Sequence, residues 1–289
     1  MTKNTAVFVT DQRQRYIADY LPGKVSVLDW KLRFDEQEAK DVLASCHRMV
    51  LPIPVSKIEK YPKINEILNE ELINKGNCTC KVYGGAFSEN WRNRLTEAAV
   101  PYVDLMQMEE VALKNAEITA EATVAEILKY SDYSIRRQKV IVTGYGRCGR
   151  ELALLLQAMG AKVTVLARSA AQRKLALSDG HVATDYSYGP EEVYGTRTII
   201  NTVPATVLKE PMLKEMHKDT VIIDIASRPG GVDLAAADAY GIQVIPALGL
   251  PGIYTTKSSA RILANAITMD EESKVCDKEE KPWIFQIII

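Results

Sequence analysis

The stretch from Lys139 to Ser169, KVIVTGYGRCGRELALLLQAMGAKVTVLARS, restricts the fold more than any other part of this chain. A β-branched run, Val140 to Thr143, leads into three glycines at 144, 146 and 149. Helix-forming residues from Arg150 to Leu156 follow and stop near Gly160, and a second β-branched run covers Lys162 to Leu166. Strand, Gly-x-Gly-x-x-Gly, helix, strand is the pattern of a βαβ unit that binds a dinucleotide. Gly144 allows the tight turn off the strand, Gly146 allows close approach of backbone N–H groups to a pyrophosphate, and Gly149 allows helix and strand to pack closely. The anion then rests at the positive end of the helix dipole. The alternative is a glycine-rich turn in some other α/β protein.

The end of the second strand bears on which dinucleotide is held. A carboxylate about 20 residues after the first glycine accepts from a ribose 2′-OH and repels a 2′-phosphate. Here the chain has Ala167-Arg168-Ser169, with Arg173 and Lys174 one turn further on. Guanidinium and hydroxyl groups suit a 2′-phosphate, so NADP is the expected cofactor, with a merely solvated basic helix start as the alternative. The expected cofactor-binding residues are Gly144, Tyr145, Gly146, Arg147, Cys148, Gly149, Arg168, Ser169, Arg173, Asn201, Thr202, Val203, Pro204 and Ala226.

Composition excludes several classes. The formal net charge of −1 gives no electrostatic footprint for nucleic acid or a membrane surface. No run of 18 or more apolar residues is present, so no transmembrane helix is expected. The apolar run near the N-terminus is too short for a signal peptide. Five cysteines at scattered spacing suggest reduced thiols and a cytoplasmic protein. Cys78-Thr79-Cys80 lacks a second Cys/His pair, so no metal site is expected.

Short apolar runs alternate with helical patterns from Thr5 to Asp104, which implies a parallel sheet with helices on both faces and resembles a flavodoxin-like layout. Expected strands include Thr5–Val9, Val25–Asp29, Met49–Pro52, Lys81–Gly85 and Pro101–Asp104. Expected helices include Arg15–Leu21, Glu36–Leu43 and Ile64–Ile73. The fold class is α/β, an N-terminal flavodoxin-like domain plus a C-terminal Rossmann sheet, joined by a long helix. The expected boundaries are an N-terminal substrate domain 1–107, a linking helix 108–136, a cofactor domain 137–256, a C-terminal helix 257–269 packing back on the first domain, and a tail 270–289. The tail ends in an apolar run, Trp283 to Ile289, suited to a sheet edge, a partner protein or its own domain.

Ligands of open α/β sheets bind beyond the carboxyl ends of the strands. That rule gathers several loops into one expected crevice between the domains: Asp11 to Gln14, Pro52 to Ser56 and Gly84-Gly85 from the first domain, with the glycine loop, 201–204, 226–231 and 247–252 from the second. Arg228 follows a buried strand and precedes Pro-Gly-Gly, so its planar guanidinium suits a carboxylate. Arg13 has the same reading, and for both the alternative is a surface arginine paired with an acid. Asp11 either orients Arg13, touches substrate or caps the helix. Gly230, Gly231 and Gly252 complete the expected substrate-binding set. Thr119 and Glu121 either face the crevice or lie on a solvated helix face. None of His47, His181 and His217 falls in a strand-end loop, so all three read as core or surface residues. Cys148 reads as a small packing residue.

The second domain resembles the cofactor domain of the D-2-hydroxyacid dehydrogenases in its glycine motif and in Asp224-Ile225-Ala226-Ser227-Arg228. Those enzymes carry a catalytic histidine after the last strand, and Ile245 to Gly252 has none. A closer resemblance is to the family of dipicolinate synthase A subunits. It rests on Ala226 to Gly231, Leu248 to Gly252, Asn201 to Pro204, Asp132 to Ile135 and Asp11-x-Arg13-Gln14, with Thr10 where a glycine is usual. The tail after about Asp270 does not share it. The resemblance implies NADP-dependent oxidation of dihydrodipicolinate to pyridine-2,6-dicarboxylate in sporulation, and a flavoprotein-like partner, the dipicolinate synthase B subunit; a homo-oligomer is also expected. Two cationic clamps, Arg228 and Arg13, suit a substrate with two carboxylates. No alcohol is deprotonated, so a missing histidine is tolerable. No base is assigned; Lys257, Thr255 and Glu121 are no more than candidates. The other readings are a nucleotide-sensing or scaffold protein, and a 2-hydroxyacid dehydrogenase with an unusual base.

Overall fold

The computed structural model describes residues 4–29, 35–74, 80–187 and 193–279, with helix side chains at 72–74 and 273–279 left undescribed. The chain divides into two compact units: residues 1–112 with 256–289, and residues 113–255.

Unit 1 holds a wholly parallel five-stranded sheet of β1 (Asn4–Phe8), β2 (Lys24–Leu28), β3 (Arg48–Val50), β4 (Lys81–Gly84) and β5 (Tyr102–Asp104), in the order β2-β1-β3-β4-β5. This is the doubly wound 2-1-3-4-5 order. Parallel strands covered on both faces are buried, and β3 is buried along its whole length, Arg48 included. Successive side chains go to opposite layers. Ala6 and Phe8 pack with Met49, Trp91 and Leu95, whereas Val7 and Val9 pack with Ile17, Val50 and Tyr83. The helices are α1 (Gln12–Tyr20), α2 (Glu36–Ser45), α3 (Pro62–Leu68) and α4 (Glu89–Glu97). A single helix is expected over Ile64–Ile73; instead α3 gives way at Asn69 to a π turn, Asn69–Asn74. The 53–56 loop is also partly helical, since a 3₁₀ turn covers Val55–Lys60.

The boundary between the units falls inside α5 (Glu109–Tyr130). Unit 2 holds β6 (Lys139–Thr143), β7 (Lys162–Leu166), β8 (Val182–Thr184), β9 (Thr198–Asn201), β10 (Val221–Asp224) and β11 (Gln243–Pro246), all parallel, in the order β11-β10-β9-β6-β7-β8. This is the Rossmann order, read from its far edge. Val140, Val142, Ile200 and Ile223 face one helical layer, and Ile141, Ile199 and Ile222 face the other. The layers include α6 (Arg147–Ala158), α7 (Ala170–Ser178), α8 (Glu210–Leu213) and α9 (Leu234–Ala239). Strand β8 has no counterpart among the expected elements. Three residues at a sheet edge, with Val182 exposed, carry too little apolar alternation to be read.

The last helix, α10 (Thr256–Glu279), belongs to unit 1 and packs on α1 through Ala260, Leu263, Ala264 and Ile267. It is expected to stop near Thr268 but continues to Glu279. Asp270 bonds to Lys81 and to the Tyr83 hydroxyl, and Glu271 pairs with the buried Arg48 at 3.0 Å, so residues from the charged stretch hold the helix on the sheet. The apolar end, 283–289, lies outside the described residues, as does Cys78.

Candidate functional site

In unit 2 the switch point lies between β6 and β9, the position where a doubly wound sheet binds its ligand. The glycine loop is there. Gly144 turns with φ +84°, and a Cβ on Gly149 would lie 2.5 Å from the Gly144 carbonyl oxygen, so helix α6 approaches the strand as only glycine allows. Gly146 is the N-cap of α6 and makes no side-chain cap, and a Cβ there would meet nothing within 4 Å. The N-cap therefore brings no side chain to the start of α6, and the space beside Gly146 is open, which fits a diphosphate. The Tyr145 ring is buried and its hydroxyl donates to Asp179 Oδ2 at 2.9 Å, so what Tyr145 offers a ligand is its backbone. Arg150 Nε donates to the same oxygen at 2.8 Å, which ties the loop and the first turn of α6 to the end of α7. Burial, with Asp179 as partner, pushes the Tyr145 hydroxyl above its ordinary value. The buried His181 stacks edge-on against Tyr145, and burial holds its imidazole below its ordinary value. Cys148 is partly buried, and burial raises its thiol.

At the end of β7 no carboxylate is present. Arg168 is exposed, Ser169 is the N-cap of α7 and accepts from the Gln172 N–H, and Arg173 Nη1 donates to the carbonyls of Ala167 and Arg168 at 2.8 and 2.7 Å. Arg173 shapes the loop, and Arg168 is the exposed cation on it.

The end of β9 and the end of β10 are locked together by a network whose centre, Asp224, is not among the sequence candidates. The buried Asp224 accepts from Asn201 Nδ2 at 2.7 Å and Ala226 N–H at 3.1 Å on one oxygen, and from Gly231 N–H at 3.0 Å on the other. Asn201 Oδ1 in turn accepts from the Thr143 hydroxyl at 2.6 Å and Val203 N–H at 3.2 Å, and Thr202 Oγ1 donates to the Thr143 carbonyl at 2.7 Å. One carboxylate thus holds both ends of the 226–231 loop. Gly230 has φ +90°, and a Cβ on Gly231 would lie 2.3 Å from Asn201 Nδ2. Arg228, at the exposed tip before a cis peptide bond to Pro229, makes no hydrogen bond or ion pair among the described residues. Pro204 is exposed, Ala226 buried and Gly252 half-buried. The legible signal for Asp224 is an acid ending an apolar strand and followed by Pro-Gly-Gly.

In unit 1 the switch point lies between β1 and β3, and Arg13 spans it. Arg13 is 5% exposed, its Nη2 donates to the Ile53 carbonyl at 3.1 Å, and its Nε has no partner. Burial depresses its pKa, while Asp11 opposes the shift. A buried cation without a carboxylate in contact is costly, so this position favours an anionic ligand. Asp11 is the helix N-cap: it accepts from Arg13 N–H, forms a capping box with Gln14, and pairs with Lys57 at 2.9 Å. Lys57 escapes sequence reasoning because it lies just beyond the expected loop at 53–56, within the 3₁₀ turn Val55–Lys60. Among the base candidates, Glu121 and Thr255 are exposed, and Lys257 lies over the Tyr16 ring. The Thr119 hydroxyl donates to its own helix at the Asn115 carbonyl.

Residues 105–237 match the family model described as "D-isomer specific 2-hydroxyacid dehydrogenase, NAD binding domain". The dipicolinate synthase A subunit of Bacillus subtilis is 33% identical over 202 residues, covering 70% of this chain and 68% of the relative. This chain belongs to the family of dipicolinate synthase A subunits. Two crystal structures carry the likeness further. The dipicolinate synthase A subunit from Bacillus halodurans is 27% identical with a TM-score of 0.77, covering 92% of this chain and 97% of that one. The same component of the Bacillus subtilis enzyme is 25% identical, also with a TM-score of 0.77, covering 96% and 98%. The family's α/β fold and the dehydrogenase-type domain make this an oxidoreductase-like protein with a nicotinamide-nucleotide site in unit 2. No helix among the described residues is long and apolar enough to cross a membrane.

Proposed function

We propose that this chain oxidises dihydrodipicolinate to pyridine-2,6-dicarboxylate, with NADP as the hydride acceptor, as the A subunit of a dipicolinate synthase working in the cytoplasm during sporulation beside a flavoprotein-like B subunit. The observation that carries the reading is Arg228, a free guanidinium on a loop held at both ends by Asp224, at the carboxyl end of the nucleotide-binding sheet. It binds one substrate carboxylate as a planar fork, with the backbone of Gly230, Gly231 and Gly252 completing the substrate-binding set. Arg13 is the second cationic position, in unit 1, oriented by its helix cap at Asp11. Bound NADP supplies the hydride acceptor. The uncapped start of α6 holds its diphosphate, and Arg168 and Ser169 recognise its 2′-phosphate. Hydride leaves one ring carbon and a proton leaves a neighbouring position, so the protein's main task is to orient the ring.

Calorimetric titration with dipicolinate tests this. Arg228→Lys, which keeps the charge and removes the fork, should weaken binding about tenfold, or about 1.4 kcal/mol. Unchanged binding removes Arg228 from the site. A second reading, a nucleotide-sensing or scaffold protein, is favoured by one feature: Ile245 to Ile253 contains no ionisable side chain. Binding of NADP without turnover, alone and with the B subunit, would select it.

A further inference from the structure

At the amino ends of β3 and β4, the opposite end of the sheet from Arg13, two thiols face each other. Cys46 ends α2 and Cys80 immediately precedes β4, and their sulfurs are 3.4 Å apart in a buried setting. A disulfide bond is about 2.05 Å, so the sulfurs need approach by only about 1.4 Å. Among the described residues no group of three or more His, Cys, Asp or Glu side chains could hold a metal ion. Cys46 also lines a surface cavity of about 470 Å³ with Asn4, Lys24, Ser26, Asp41 and Ser45, which gives a small neutral oxidant a route to it.

We infer that Cys46 and Cys80 are a peroxide-oxidisable dithiol, with Cys46 as the attacking thiol and Cys80 as the resolving one. The roles follow from access and hydrogen bonding. Cys46 lines the cavity and Cys80 does not; the contact between the two sulfurs, in which either can donate, holds Cys46 below its ordinary value, while the same contact and burial push Cys80 up. A lowered thiol reacts faster because the thiolate is the nucleophile. The Cys46 thiolate attacks one oxygen of hydrogen peroxide and the O–O bond breaks. Hydroxide leaves and Cys46 becomes a sulfenic acid; sulfur has lost two electrons and peroxide has gained them. The Cys80 thiol then attacks that sulfur. The sulfenic OH leaves with the Cys80 proton as water, and the S–S bond closes. Cys148 differs in both respects: burial raises its thiol, and residues 113–255 contain no other cysteine.

Peptide mapping of the full chain after hydrogen peroxide treatment tests this. Cleavage after lysine and arginine places Cys46 in the peptide 41–48 and Cys80 in 76–81, which also holds Cys78, so Cys78→Ser removes the ambiguity. The expected result, in wild type and in Cys78→Ser, is a cross-linked 41–48/76–81 peptide that dithiothreitol separates. In Cys80→Ser, dimedone should trap a sulfenic acid at Cys46. Recovery of both peptides uncrosslinked from peroxide-treated Cys78→Ser, or a cross-link from either one to a different cysteine, overturns the inference.

Discussion

Asp224→Asn is an isosteric change whose cost follows from the hydrogen-bond directions around it. The carboxylate accepts three bonds, two on the oxygen facing Asn201 and Ala226 and one on the oxygen facing Gly231. An asparagine keeps one acceptor. Its NH₂ group does least harm opposite Gly231, where one bond to a charged acceptor is lost and two donors face each other. Turning Asn201 does not relieve the alternative orientation, because Asn201 Oδ1 already accepts from Thr143 and Val203. Losing a hydrogen bond to a charged group costs about 1.5–3 kcal/mol, and the facing donors place the substitution at about 2–3 kcal/mol. With a urea dependence of about 2 kcal/mol per molar, the midpoint for unit 2 should fall by about 1 M. The chain offers an internal control, since its three tryptophans, at positions 30, 91 and 283, all lie outside residues 113–255. Circular dichroism should therefore record the shift while tryptophan fluorescence reports unit 1 unchanged. A circular-dichroism midpoint within about 0.2 M of wild type, equivalent to roughly 0.4 kcal/mol, would refute the claim that Asp224 holds the loop.

Gly231→Ala should destabilise unit 2 by about 2–3 kcal/mol in the same assay, because its Cβ would lie 2.5 Å from the Val203 carbonyl oxygen and 2.3 Å from an Asn201 amide bonded on both sides. Arg168→Asp should weaken NADP binding about 10–100-fold and leave NAD binding nearly unchanged in calorimetric titration, the loss of one charge-assisted contact; equal losses would remove the 2′-phosphate reading. His181 is held below its ordinary value by burial, so the unfolded chain binds the proton more readily than the folded one. The stability of unit 2 should fall as pH drops below about 6.5 toward the depressed folded value, and His181→Phe should flatten that part of the pH–stability curve.

The sequence shows best what is periodic and local. The β6 glycine loop, the apolar strands β9 and β10 and the long helix α5 announce themselves through residue type and spacing alone. Arg228 stands out because a strand end and Pro-Gly-Gly bracket it. The parts that stay hidden depend on partners distant in sequence. Asp224 and Asn201 are 23 residues apart, and Arg48 meets Glu271 across 223 residues, so neither contact leaves a local pattern. The same holds for Tyr145. Its place in the glycine motif suggests a ligand contact, but Asp179, 34 residues on, turns its side chain into the fold. The C-terminal helix reads short because its charged residues after Thr268 resemble a solvated tail. In the fold those charges meet Lys81, Tyr83 and Arg48.

Hydride transfer from dihydrodipicolinate to NADP is the reaction we propose for this chain. The direct measurement mixes the purified chain with NADP and freshly prepared dihydrodipicolinate, with and without the B subunit, and follows ultraviolet absorbance. NADPH and dipicolinate should appear in equal amounts, and Arg228→Ala should lose that signal. Absence of both products from the wild-type chain, with and without the B subunit, would contradict the claim.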